Sequence, residues 1–245
     1  MVKIGIVQTR SYKTNQEGIN TVSKLLRRIG KKGANIVCLP EQWLQDNHIS
    51  DYDEEFSDFK EIAREFSMTI IPGAFYERIG GKLVISAPVI GPKGTIIGRQ
   101  EKIHPFDYER NIIKPGKEAK IFNTACKFGI VICYDMVFPN VSNVLTKKGA
   151  HVLVSPSRIV KRGITPWSMY VQVRALENRI PILGANVTNS KYGGNSIIVD
   201  LLDKDNVVIP KTTRLKGESA IVKEFDLSKY TKIRKARFSD SKKVR

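Results

Sequence analysis

The sequence predicts an α/β fold of four layers, an αββα sandwich in which two sheets pack face to face between outer helices, in a single domain. Three observations predict it. Short β-branched runs alternate with amphipathic helical stretches as β-α-β-α-β, this order occurs twice along the chain, and further β-hairpin strands follow each half.

The elements follow in order. Val2 to Gln8 (VKIGIVQ) alternates as a strand does. A helix follows, opened by the capping box Thr14-Asn15-Gln16-Glu17, striped with Ile19, Val22, Leu25, Leu26 and Ile29, and closed by Gly33. Asn35 to Pro40 is a second buried strand that delivers Glu41. Phe59, Ile62, Ala63 and Phe66 mark a second helix, and Met68 to Ala74 a third strand, so the three strands should run parallel. Lys82 to Ile90 and Thr95 to Lys102 flank Gly91-Pro92-Lys93-Gly94 and read as an antiparallel hairpin.

The second half begins with the apolar run Phe128 to Ile132, which ends at Cys133. Helical spacing starts at Pro139, through Val141, Val144, Leu145 and Lys148, and Gly149 stands where a helix stops. His151 to Pro156 is a strand. A helix follows, with Thr165 as N-cap and Pro166 at its first position, and then the strand Pro181 to Asn186. Gly194 to Asp200, Val207 to Pro210 and Ser219 to Asp226 close the fold as β-structure. No Pro/Gly/Ser-rich linker divides the halves. One domain is expected over residues 1–228, followed by a basic tail, 229–245.

Composition narrows the function classes. The 245 residues are 41% apolar, enough for a sizeable core, and no run approaches a membrane span. Met1 to Gln8 starts as a strand and not as a signal peptide, so a soluble, cytoplasmic protein is expected. The cysteines Cys38, Cys126 and Cys133 form no C-x-x-C pair, and His48, His104 and His151 match no metal-ligand spacing. Neither a disulfide framework, a metal nor another cofactor is expected. The net charge is +17, and the tail carries eight Lys or Arg against Asp240. Such a tail is ordinarily solvated or frayed. Without a helix-turn-helix, zinc finger or aromatic RNA-binding signature, nucleic acid is not the expected partner.

Three reactive side chains, Glu41, Lys102 and Cys133, fall at the carboxyl ends of expected strands, where ligand sites of α/β sheets gather. A cysteine on a strand-to-helix turn is either a nucleophile or a small buried hydrophobe, and the stretch around Cys133 leaves both readings open. The joint placement favours chemistry. A thiol attacks an amide carbonyl or nitrile carbon once a base takes its proton, a task for Glu41. Lys102 and the backbone N–H of Tyr134 would hold the charge that develops.

Four segments make a resemblance specific: Leu39-Pro40-Glu41; Glu101-Lys102-Ile103-His104-Pro105-Phe106; Tyr108-Glu109-Arg110 with Lys114-Pro115-Gly116; and Gly129 to Asp135 with Phe138-Pro139. In this order they resemble the signature of the nitrilase superfamily of carbon-nitrogen hydrolases. Trp167, Arg174 to Asn178 and Asn186 resemble its later segments. The resemblance implies a Glu-Lys-Cys triad at Glu41, Lys102 and Cys133, with Glu109 as a second carboxylate, on an αββα fold. It implies a cofactor-independent amidase that forms a thioester on cysteine and releases ammonia or an amine from a small amide. N-carbamoyl compounds or nitriles are the alternative substrates, and a non-enzymatic basic binding protein is the alternative of another class. A homo-oligomer, a dimer or larger, is also implied.

Trp43, Phe106, Tyr134 and Trp167 are candidate pocket walls. Val137 stands where many members of the superfamily carry an arginine that grips a substrate carboxylate, which leaves Arg110, Arg158 and Arg162 as possible substitutes. His104 invites a Cys-His dyad, but a histidine followed by proline at a strand end reads better as a structural loop residue.

Overall fold

A computed structural model describes residues 1–205 and 207–239. The tail residues Asp240, Lys242, Lys243 and Arg245 lie outside them.

The first half comprises β1 (Val2–Gln8), α1 (Asn15–Gly30), β2 (Ile36–Cys38), the short α2 (Tyr52–Glu55), α3 (Ser57–Glu65), β3 (Thr69–Ile71), β4 (Phe75–Ile79), β5 (Lys82–Ile90) and β6 (Ile96–Glu101). The second half comprises β7 (Ile121–Asn123), β8 (Lys127–Ile130), α4 (Pro139–Lys147), β9 (Val152–Pro156), α5 (Ile164–Asn178) and β10 (Ile182–Ala185). The chain ends with β11 (Ile197–Lys204), β12 (Val207–Arg214), β13 (Ser219–Phe225) and α6 (Ser228–Ser239).

Two sheets form, as expected. A seven-stranded sheet has the order β13-β1-β2-β3-β5-β4 with β6 on β5, and a six-stranded sheet the order β12-β11-β10-β9-β8-β7. The β1-β2-β3 and β8-β9-β10 sets are parallel, and the remaining pairings are antiparallel. Period-two alternation sorts each strand between layers. In β2, Ile36 and Cys38 join the core shared with the second sheet, while Val37 joins the core under α1 and α3. The outer helices bury one stripe each: Ile19, Val22, Leu26 and Ile29 on α1, and Val171 and Ala175 on α5. The result is the single four-layer αββα sandwich.

Several elements depart from expectation. Strands β4 and β7 lie where none was expected. β4 forms a hairpin with β5 through Gly80-Gly81, whose φ angles of 54° and 77° suit the mirror-image turn that strand twist favours. At the start of α1, Thr14 Oγ1 accepts from the Glu17 N–H at 3.1 Å, but the Glu17 carboxylate accepts from Lys13 N–H at 2.8 Å instead of closing the box on Thr14. Thr165 is not an N-cap. A 3-10 turn at Lys161–Gly163 leads straight into α5, which begins at Ile164 and places Thr165 inside the first turn.

The basic segment after residue 228 is not frayed where it is described. It forms α6, whose fully buried Tyr230 donates its hydroxyl to Asp200, with Lys223 Nζ and Lys229 Nζ at 3.0 and 3.3 Å from the same carboxylate. Arg234 donates to the carbonyls of Arg179 and Ala150 at 3.2 and 3.1 Å. The helix is docked on the second sheet's side of the sandwich.

Candidate active site

Each reactive side chain leaves a strand end. Glu41 lies three residues beyond Cys38, the end of β2, and its N–H donates to the Ser157 carbonyl beyond β9 at 3.2 Å, joining the sheets at that point. Lys102 directly follows β6, and its N–H still donates to the Ile85 carbonyl at 2.8 Å. Cys133 opens the 3-10 turn Cys133–Val137 after β8 with φ 45°. A left-handed conformation costs a non-glycine residue about 1–3 kcal/mol, held here by the surrounding packing.

These side chains converge in the interior. Lys102 Nζ lies 2.9 Å from Glu41 Oε1 and 3.0 and 2.8 Å from the two oxygens of Glu109. Lys102 is 1% exposed, and Glu41 and Glu109 are each 3% exposed, so the ions must satisfy one another. Glu109 is held by the short 3-10 turn Asp107–Asn111, where its Oε2 accepts from the Phe106 N–H at 2.7 Å. The Cys133 thiol lies within the electrostatic reach of Glu41, Lys102 and the Arg158 backbone N–H.

The electrostatics follow from burial and neighbours. Burial pushes the Cys133 thiol well above the ordinary range and the Glu41 charge adds to this, with Lys102 and the Arg158 N–H acting in the opposite sense. Burial alone would lower Lys102, but Glu41, Cys133 and Glu109 together hold it above the ordinary lysine range. Glu109 is raised by burial and by Glu41 against the opposing pull of Lys102. The thiol at rest is therefore protonated.

Asp135, two residues after Cys133, ties the parts together. Its carboxylate accepts from the Ile103 and His104 N–H groups at 3.2 and 2.7 Å and from His104 Nδ1 at 2.9 Å. The His104 ring stacks on Phe138 at 3.7 Å. His104 is thus a structural loop residue, and Asp135 is the member of this site that sequence reasoning missed. A polar residue closing an apolar run beside a reactive cysteine was the only sign of it.

A cavity of about 230 Å³ opens over Cys133, walled by Phe106, Tyr134, Trp167, Val137, Ile159 and Arg158. Three of the expected walls are therefore present. Trp43 is not among them. It packs between α1, α3 and the first sheet, stacked on Phe59 at 6.3 Å, and its indole N–H donates to the Pro72 carbonyl at 2.7 Å. A large aromatic ring two residues past Glu41 is more cheaply buried on the helix side of the sheet than left at a polar cleft. Among the described residues no group of His, Cys, Asp and Glu is arranged to hold a metal ion, and no helix is long and apolar enough to cross a membrane.

A cysteine at the strand ends of an αββα sandwich, beside buried carboxylates and a lysine, is an arrangement of the kind hydrolases use. The sequence model of the carbon-nitrogen hydrolase family matches residues 3–235, and the chain belongs to that family. Its chemistry is accordingly hydrolysis of a carbon-nitrogen bond. The chain is 30% identical to an omega-amidase of Xenopus tropicalis over 203 residues, 75% of this chain and 74% of that protein. It is 27% identical to the omega-amidase of Mus musculus, covering 95% of this chain and 91% of the relative. In fold it matches the crystal structure of a carbon-nitrogen hydrolase from Helicobacter pylori with a TM-score of 0.84 at 21% identity, covering 98% and 95% of the two chains.

Proposed function

We propose that the protein is an amidase for small linear amides in which Glu41, Lys102 and Cys133 are the catalytic triad and Glu109 positions Lys102. The observation that carries this reading is the buried Lys102 ammonium bridging Glu41 and Glu109 beside the Cys133 thiol. An ammonium has three N–H donors. With carboxylates on two of them, the third is left for the substrate.

Glu41 takes the thiol proton as Cys133 Sγ attacks the amide carbon, and the carbonyl oxygen becomes an oxyanion. Lys102 and the Tyr134 backbone N–H hold that charge. Protonated Glu41 passes its proton to the amide nitrogen, the carbon-nitrogen bond breaks, and ammonia or an amine leaves a thioester on Cys133. Glu41 then takes a proton from water as the water oxygen attacks the thioester. The acid departs, and the proton returns to the sulfur. Phe106, Tyr134 and Trp167 shape a cavity whose size suits a short amide.

Ammonia release from aliphatic amides tests this reading. Cys133→Ala and Glu41→Gln should each abolish turnover, and full activity in Glu41→Gln would remove Glu41 as the base.

The enzyme is further read as a homo-oligomer, supported by Met169, Tyr170 and Val173, which leave an apolar face of α5 exposed. A monomeric mass by light scattering would overturn this. The free thiols Cys38, Cys126 and Cys133 fit a reducing compartment such as the cytoplasm.

A further inference from the structure

Arg110 and Arg162 are exposed and line no part of the cavity, and Arg158 forms one of its walls. Arg174 lies elsewhere. Helix α5 buries it to 5% exposure, and its guanidinium meets the turn that begins at Cys133. Its Nε donates to the Met136 carbonyl at 3.2 Å, Nη2 to the Val137 carbonyl at 2.7 Å and Nη1 to Glu177 Oε2 at 2.7 Å, and the Tyr170 ring lies 5.9 Å away.

The local chain explains why those carbonyls need an outside donor. Asp135 N–H donates to the Ile132 carbonyl and Phe138 N–H to the Asp135 carbonyl, at 2.9 and 3.2 Å, the spacing of a 3-10 turn. One step further, that spacing would bring the N–H of residue 139 to Met136. Pro139 has none. Phe138 meanwhile turns to extended backbone, φ −93° and ψ 115°, so the turn ends before α4 begins. Met136 is fully buried, and a buried carbonyl needs a partner. Arg174 supplies it from 38 residues further along the chain.

An apolar side chain would hold α5 against the turn at less cost. A buried guanidinium gives up its hydration, and the Glu177 carboxylate that pairs with it stays 43% exposed. What the arginine adds is geometry, because its planar fork fixes two successive carbonyls at once, which a lysine or an aliphatic chain does not. Cys133, at φ 45°, and Tyr134, whose backbone N–H holds the oxyanion in the proposed reaction, belong to the same turn. The turn is thus tied to the Lys102 loop through the Asp135 carboxylate and to α5 through its closing carbonyls.

We propose that Arg174 is a positioning residue for the nucleophile: by fixing the closing carbonyls of the turn, it sets the aim of the Cys133 thiol and of the Tyr134 N–H together. The inference rests on the reading of Cys133 as the nucleophile. Arg174 touches no substrate on this account. A turn released from the fork still binds an amide, but its sulfur and its oxyanion donor no longer meet the same carbonyl group, so the loss falls on kcat.

The test compares Arg174→Met and Arg174→Lys with the wild type, reading kcat and KM from ammonia release on a short aliphatic amide and inhibition by isobutyraldehyde. Cys133 Sγ adds to the aldehyde carbon and the thiol proton passes to the carbonyl oxygen, so the tetrahedral adduct reports the same aim at equilibrium. Arg174→Met should lower kcat about a hundredfold with KM within about threefold, the scale of an ångström of misplacement. Aldehyde affinity should fall by a similar factor. Arg174→Lys, which keeps the charge without the fork, should recover part of both losses at a melting temperature near that of the wild type, and it carries the test alone if Arg174→Met does not fold. Unchanged kcat in a folded variant, or a loss carried by KM alone, would overturn the proposal. So would a lowered kcat with unchanged aldehyde affinity, where Cys133→Ala abolishes aldehyde binding. Equal aldehyde affinity in the wild type and Cys133→Ala would instead remove the nucleophile reading itself, and the positioning role with it.

Discussion

The Asp135 carboxylate accepts from the His104 backbone N–H at 2.7 Å and from its ring at 2.9 Å, so the turn that carries Cys133 and the loop that follows Lys102 are one assembly. Cys133 and the bridging Lys102 ammonium follow strands of different sheets. Their separation is set by this contact as well as by the sheet packing.

Asp135→Ala should therefore damage catalysis without touching a reacting atom. It strands the Ile103 and His104 N–H groups, at about 1–3 kcal/mol for each buried donor left unpaired. We expect kcat to fall about tenfold to a hundredfold with lost stability. Asp135→Asn, which keeps the acceptor for one N–H, should recover part of both in steady-state kinetics and urea unfolding.

Removing one member of the buried ion cluster should cost more than its hydrogen bonds suggest. Glu109→Ala leaves Lys102 with one fewer anion in a dry site, a change of about 3–5 kcal/mol for buried pairs. Glu109→Gln, similar in shape, should fold better yet still lower kcat, since it no longer restrains the ammonium by charge. Parallel unfolding curves and kinetics on the two variants check this.

Stability should fall on the alkaline side. Burial raises the Cys38 thiol well above its usual value and pushes Cys126 up to about 11. Both thiols thus ionise earlier in the unfolded chain than in the native one. Their contribution is complete below the ordinary thiol value of 9.0 and is lost as pH rises toward the native values. A melting-temperature profile should bend downward above about pH 9. Cys38→Ala should flatten that bend while lowering the whole curve.

Trp43→Ala should unfold more easily by about 3–5 kcal/mol, as large aromatic truncations in a packed core do. KM should change little, because the indole lies on the helix side of the first sheet. Trp167→Ala should raise KM instead. Urea titration and kinetics on the pair distinguish a core tryptophan from a cavity wall.

These residues show what could be read from the sequence. Strand alternation in β1 and the helical stripe on α1 are local patterns, and both elements lie where the sequence placed them. Glu41, Lys102 and Cys133 were legible because strand ends in α/β sheets share one edge. Trp43 and Trp167 were not separable, since neither residue type nor spacing says which face of a layer a ring will choose. Arg158 stood beside Arg110 and Arg162 for the same reason. Asp135 acts on residues more than thirty positions earlier in the chain, a contact that no local pattern encodes. β4 was within reach, because Gly80-Gly81 between alternating runs is a hairpin signal.

The pairing of β13 with β1, Val2 opposite Phe225 through Gln8 opposite Ser219, also bears on how the protein is made. One flank of β1 has no partner until the ribosome has delivered β13. The nascent N-terminal half must wait with an open, apolar strand edge, an invitation to pair with a neighbouring nascent chain. Synthesis speed and chaperone supply, more than native stability, should therefore govern the yield of this protein in a cell.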